Sequence, residues 1–271
     1  MRRYLRHDYS EMSEALQQFF VTTIRVDCDD SKYPIRVKDV LNDEKRNSIL
    51  HEQAVQQGLQ LGGKGSVAVG TLFAKRYSVF VMSVISAFSL YDTILSIADD
   101  DVRFELNGAG GMRYETRLKS SFLEGGDPVQ RRSESGLLKK RMLLHLEPVL
   151  RAVAVSTGAS DKVMWSLVAH NVQQLYARMI NDRSIWKTDE RLEQIKEDQS
   201  IWLDKQQNEN AFSFAFELHR FDHPKWQGPP FLIRRYCCLA YQVGSGSHAH
   251  GYCNSCPKLD SESRLRKLLH Q

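Results

Sequence analysis

Before its last 35 residues this chain of 271 carries one cysteine, Cys28. So sparse a distribution excludes a framework of scattered disulfides. Internal repeats and low-complexity tracts are absent too. No G-x-x-x-x-G-K-[ST] loop occurs, and no nicotinamide, flavin or ATP-binding signature. The nearest approach is LGGKGSVAVG, Leu61 to Gly70, which reads as a flexible turn ahead of a helix. No run of five or six basic residues appears, and aromatics are not interleaved with basics, so nucleic acid is not an expected partner. The net charge of +4 and pI of about 8.7 suit an anionic partner or an inner-membrane surface only weakly. The N-terminal MRRYLRHDYSEM has no apolar segment; no secretory signal is expected, and the expected compartment is the cytoplasm.

What is present begins with ordinary globular composition, 42% hydrophobic and 26% charged. That suits one large domain, or one domain with a small appendage. The most apolar stretch, Tyr77 to Ala98, carries five serines, an aspartate and a threonine, and reads as a buried core helix rather than a membrane span. Met12, Leu16, Phe19 and Phe20 fall on one face of a helix expected over Tyr9 to Val26. Further helices are expected over Asn47 to Leu61, Val67 to Ile97, Leu137 to Ser156, Val163 to Ile180 and Leu192 to Phe216. Pro148 is expected to kink or restart the third of these. Gly158 reads as a helix C-cap and Gly125 to Ser135 as a polar loop. Val102 to Leu118 reads as a β-hairpin about the turn Asn107 to Gly111. Pro224, Gly228, Pro229 and Pro230 mark a boundary. The expected fold is mainly α with one small hairpin, an α+β arrangement. It comprises a helical body over 1–230 and a cysteine-rich metal-binding appendage over 231–271. The appendage has too few apolar residues for a core, so a metal is expected to help fold it.

The chemistry is concentrated in IRRYCCLAYQVGSGSHAHGYCNSCPKL. Cys237 and Cys238 are adjacent, and Cys253 and Cys256 form a C-x-x-C pair. Four thiolates bind Zn²⁺ or an iron–sulfur cluster. Adjacent side chains on an extended strand point to opposite faces, so the first pair grips a single ion awkwardly. A [2Fe–2S] rhomb is wider, with two ligand pairs to fill, and an adjacent pair in a turn can serve it. A vicinal disulfide is disfavoured, since consecutive Cα atoms lie about 3.8 Å apart, short of the usual disulfide span. Fourteen residues separate the pairs. They include His248 and His250, which can replace a thiolate but read better as loop residues. Arg234 and Arg235 can offset the negative charge of a cluster.

Arg235, Cys237, Cys238, Leu239, Tyr241, Gly251, Tyr252, Cys253, Cys256 and Pro257 together resemble the C-terminal [2Fe–2S] domain of the FhuF-like ferric-siderophore reductases. Ala74 to Asp92 and the Trp165 to Tyr176 helix resemble the family's helical body more loosely. The loop between the pairs is longer than the family's usual loop, which costs little, since doubling a loop adds only ~0.6 kcal/mol. The resemblance implies Cys237, Cys238, Cys253 and Cys256 as cluster ligands. It implies one-electron reduction of a ferric siderophore, which releases iron as Fe²⁺. It also implies an external donor such as a ferredoxin, flavodoxin or reductase. Lys75, Arg76, Trp165 and Arg234 are the candidate substrate-binding residues, each with a plainer reading: Trp165 as core, Lys75 and Arg76 as a solvated helix face. Two other classes stay open: a zinc-stabilised protein- or nucleic-acid-binding module, and an iron–sulfur sensor or carrier.

Overall fold

The computed structural model describes residues 2–25, 31–108, 111–120, 127–204, 219–228, 230–244 and 251–270. Cys28, Ala109, Gly110, Pro229, His248, His250 and the expected helix beyond residue 204 lie outside them. Helix α1 (Arg2–Phe20) leads into strand β1 (Thr22–Arg25). Strand β2 (Ile35–Arg36) and helices α2 (Val37–Leu41), α3 (Asp43–Gln56) and α4 (Lys64–Tyr91) follow. Then come strands β3 (Ile94–Leu95), β4 (Arg103–Leu106) and β5 (Met112–Ser120). Helices α5 (Pro128–Thr157), α6 (Asp161–Asn181) and α7 (Asp189–Leu203) complete the body. The C-terminal segment holds β6 (His219–Arg220), β7 (Leu232–Ile233), a 3₁₀ turn (Ala240–Gln242) and α8 (Ser261–Leu269).

The chain is mainly helical, as expected, but its sheet is larger than one hairpin. β4 and β5 pair antiparallel, Phe104 opposite Tyr114. β1 then adds parallel to β5, β2 adds antiparallel to β4, and β3 pairs with β5. The expected helix over Tyr9 to Val26 therefore stops at Phe20, where Val21 takes a positive φ of 47° and the chain turns into β1. Local periodicity does not report a pairing with a strand about 90 residues away.

Helix α4 is the spine. Most of its residues are buried, with α1, α5, α6, α7 and the sheet packed around it. It is long and apolar enough to cross a membrane, but 78% of its most apolar window is buried inside the protein. Its serines are compatible with the core because Ser78 and Ser83 bond back to carbonyls three residues earlier. Gly70 lets α5 close in: a Cβ there would meet Thr157 Oγ1 at 2.2 Å and Ala159 Cβ at 2.7 Å. Tyr77 stacks among Phe73, Phe80, Phe104 and Tyr114, and its hydroxyl bonds His145 Nε2 at 2.7 Å. α4 ends at Asp92, left-handed at φ 51°, short of the expected Ile97.

Two expectations for α5 change. The supposed polar loop over Gly125 to Ser135 is the first two turns of this helix from Pro128 onward. Asp127 caps the Val129 N–H at 3.0 Å and Pro128 occupies the first turn. Pro148 lies inside a continuous 30-residue helix and does not restart it. Leu144, whose carbonyl the missing N–H would have met, is 63% exposed, so water can take that bond.

Candidate metal centre

The C-terminal segment docks on the body through backbone contacts. Thr71 Oγ1 on α4 donates to the Cys238 carbonyl at 3.1 Å, and the Gly244 N–H donates to the Gln57 carbonyl at 3.1 Å. The Leu232 N–H donates to Gln174 Oε1 on α6 at 3.3 Å. Cys238 is fully buried against Leu72 and Leu167. Contrary to expectation the segment has a small apolar cluster of its own, Phe221, Leu265 and Leu268, packed by Trp226, Phe231 and Ile233. It draws on residues before the expected boundary, which is why the count from residue 231 onward found too few.

All four C-terminal cysteines are free thiols, and they form two pairs across the two motifs. Cys237 Sγ lies 3.5 Å from Cys256 Sγ. Cys238 shares a hydrogen bond with Cys253. Two thiolates on one tetrahedral ion, with metal–sulfur bonds of about 2.3 Å, lie about 3.8 Å apart. The first pair, at hydrogen-bonding contact, lies slightly closer than two ligands of one metal atom. Among the described residues no three His, Cys, Asp or Glu side chains are arranged to hold a single ion.

The local fold explains the cross-pairing. Leu239 is left-handed, at φ 62°, and turns the chain directly after the cysteine pair. Its N–H points back at Cys237 Sγ, 3.4 Å away. Cys237 and Cys238 are consequently aimed at different partners. The C-x-x-C segment is closed by the Cys256 N–H on the Cys253 carbonyl at 2.8 Å. Arg264, reaching from α8, grips that turn: its Nε donates to the Asn254 carbonyl at 2.8 Å and its Nη2 to the Cys256 carbonyl at 2.6 Å.

Arg234 is the central cation. It is 3% exposed, and its Nη2 donates to Cys253 Sγ. Its backbone N–H donates to the Ser255 carbonyl at 2.9 Å. Burial opposes its charge, but the neighbouring sulfurs, the Cys238 thiolate foremost, outweigh that and hold it protonated. The Cys253 thiol's hydrogen bond holds Cys238 as the thiolate, aided by Lys75 and Arg234, while Cys253 is pushed up. One proton thus sits between two sulfurs, where a metal cation would replace it. Burial raises Cys237 as well. Arg234 Nη1 is buried without a partner among the described residues. A donor left over beside four sulfurs suits a further anionic acceptor such as a bridging sulfide, so the residues fit an iron–sulfur group.

Of the candidate substrate residues, Lys75 and Arg234 stand at the thiols as charge partners instead. Arg76 is half-buried and also feels Cys238; its carbonyl accepts the Tyr114 hydroxyl at 2.8 Å. The solvated-face reading of this pair gives way to a cationic edge beside the sulfurs. Trp165 is 7% exposed within the main core and offers a chelate little surface. Sequence reading missed His170. It is buried on α6, and burial, Arg234 and Lys75 push it down to about 3, leaving a neutral imidazole. It also missed Arg264 on α8. A basic residue in the last helix carries no local sign that it wraps a cysteine turn. No family model and no curated protein matches this chain.

Proposed function

We propose that the chain is a ferric-siderophore reductase whose Cys237, Cys238, Cys253 and Cys256 hold a [2Fe–2S] cluster. The observation that carries this is the cross-pairing of the sulfurs, Cys237 with Cys256 and Cys238 with Cys253, around the buried Arg234. Two pairs are what a binuclear rhomb takes, and the Leu239 turn supplies them from adjacent cysteines. When bound, the cluster supplies one electron to Fe³⁺ held in hard oxygen ligands, which retain Fe²⁺ far less tightly; an external donor of the ferredoxin, flavodoxin or reductase type restores it. The residues set the conditions. Lys75 and Arg234 offset thiolate charge and so favour the reduced, more negative state. Arg264 and the Leu239 N–H keep the sulfurs in place. Tyr252 is 37% exposed and stacks edge-on with Tyr241 at 5.2 Å, next to the part-exposed Cys253, which leaves one edge of the centre open to a donor while Cys256 stays buried.

The test is absorption and EPR on protein purified without oxygen, before and after dithionite. The expected result is a red-brown protein that bleaches and yields an S = ½ signal, with both properties and ferric-chelate turnover lost in Cys253→Ser. A colourless, EPR-silent protein containing stoichiometric zinc defeats the proposal and returns the centre to a structural role. The cytoplasm is the proposed place of action.

A further inference from the structure

The positive charge of this chain is not evenly spread. Of its 37 lysines and arginines six fall in residues 231–271, but of its 33 acids only two do. Residues 1–230 therefore balance at 31 of each, and the whole excess of +4 sits on the cysteine segment. Two of the six cations, Arg234 and Arg264, are buried and committed to the sulfurs and the C-x-x-C turn. The other four, Arg235, Lys258, Arg266 and Lys267, are exposed or half-buried. Both acids are engaged. Asp260 caps α8 by accepting the Ser263 N–H at 2.8 Å, and Glu262 pairs with His223 at 3.0 Å.

Two of the outer cations stand at the open edge of the centre. Lys258, two residues beyond Cys256, lies over the Tyr241 ring at 4.9 Å and donates to its hydroxyl at 3.3 Å. Tyr241 packs edge-on against Tyr252, the residue before the part-exposed Cys253. Lys267 on α8 donates to the Tyr252 carbonyl at 2.7 Å. The four residues make one continuous basic and aromatic rim. Each lysine is already held by a hydrogen bond, so fixing it in a complex costs less ordering entropy than fixing a loose surface lysine. Such a rim attracts an acidic surface, and its place beside Cys253 brings that surface to the sulfurs. Lipid headgroups answer to the same charge, but the rim has little to put into a bilayer. Its two tyrosine rings are packed on each other, and α8 turns Leu265 and Leu268 inward, leaving Leu269 as its exposed leucine.

We infer that the rim of Tyr241, Tyr252, Lys258 and Lys267 is the docking surface for the electron donor, and that this donor is an acidic one-electron carrier protein. The inference rests on the reductase reading for the purpose of the contact. In the docked pair the carrier is oxidised by one electron and the cysteine centre is reduced by one; no proton or group moves. The lysines steer and orient the carrier, and the tyrosines supply the flat contact beside Cys253.

The test uses full-length holoprotein purified without oxygen, with an acidic plant-type ferredoxin as the probe. Titration calorimetry with both proteins oxidised, so that no electron moves, reads the affinity. Stopped-flow mixing with reduced ferredoxin reads the second-order rate constant. Raising the ionic strength from about 20 mM to about 0.5 M should lower both at least about tenfold. At low salt, Lys258→Glu with Lys267→Glu should lower both at least about tenfold. Lys258→Gln with Lys267→Gln keeps the donors to Tyr241 and Tyr252 and should lower both about threefold. Lys140→Glu with Lys196→Glu reverses the same charge on α5 and α7, and should change either value less than about twofold. α7 meets α4 at Ser89, about 27 Å along the axis from Thr71, which holds the Cys238 carbonyl. No binding, no salt dependence, or equal losses in the rim and α5–α7 double glutamate variants overturns the inference. So does sedimentation with phosphatidylserine–phosphatidylcholine vesicles that depends on the rim while ferredoxin binding does not, which assigns the charge to a membrane. A protein without a cluster that still binds ferredoxin through the rim defeats the reductase reading and leaves the surface. A cluster-bearing protein that reduces ferric chelates but takes electrons from ferredoxin equally well with both lysines reversed defeats the surface and leaves the reductase.

Discussion

Arg234 joins two requirements in one side chain. Its backbone holds the C-x-x-C turn through Ser255, and its guanidinium offsets thiolate charge in a buried place where screening is weak. Arg234→Gln keeps a planar polar end with an N–H donor, though a shorter one, and removes the charge. It is expected to retain the proposed cluster and lower its midpoint potential by on the order of tens of millivolts, read by EPR-monitored redox titration; an unchanged potential would show that the charge is screened after all. His170 makes a second residue-scale prediction. Its folded value is pushed down to about 3, against about 6.5 in the unfolded chain. Between those values the unfolded state takes a proton that the folded state refuses, so acidification favours unfolding. Stability from this residue is complete above about pH 6.5 and falls by about 1.4 kcal/mol per pH unit toward pH 3. Urea titrations across that window should show a shallower slope for His170→Gln than for the wild type. The cysteines were legible in sequence because their spacing is a local pattern. Neither His170 nor the pairing of sulfurs was, since both depend on what α4 and α6 bring alongside.

Among the elements, α4, α5 and α7 are fastened at one end by a charge cluster. Arg131 Nη2 donates to the buried Asp198 at 2.7 Å, and Ser89 donates to the same oxygen at 2.8 Å. Asp92 receives Arg131 and, at 2.7 Å, Arg191. Removing one member leaves the others desolvated and short of partners. Asp198→Asn is therefore expected to cost about 3 kcal/mol in chemical denaturation, and Asp198→Leu with Arg131→Leu less than the sum of the two single changes. Additive losses would mean the pair is not coupled. α6, with a strong apolar stripe, was placed from sequence nearly to its ends, whereas α4 was placed well at its start but stops at Tyr91, short of the expected Ile97, because the chain turns into β3. α5 began earlier than expected because its start is set by a cap, Asp127 followed by Pro128, within a stretch whose polarity resembles a loop. Strand β1 was missed because four residues hold too little pattern to reveal a partner in β5.

At the level of the whole molecule, the C-terminal segment is held by three kinds of contact: its apolar cluster, its hydrogen bonds to α4, α6 and Gln57, and the sulfur centre. The first two are small, so the proposed metal group, if held by Cys237, Cys238, Cys253 and Cys256, would dominate its order. Removing the metal is expected to expose residues 231–271 to protease while the body, with its core around α4, stays resistant. Limited proteolysis of metal-loaded and metal-stripped protein reads this directly, and equal protection of the segment in both would show that packing alone holds it. What the sequence by itself determined is the helical class, the burial of α4, the hairpin and the four thiols in two motifs. These depend on periodicity, composition and spacing within a few residues. The tertiary structure alone decided that Cys237 meets Cys256 and Cys238 meets Cys253, that Lys75 and Arg234 stand by the sulfurs, and that Trp165 is core. Each of these sets residues from distant parts of the chain within a few ångströms of one another, and only the packing of helices around α4 fixes such distances.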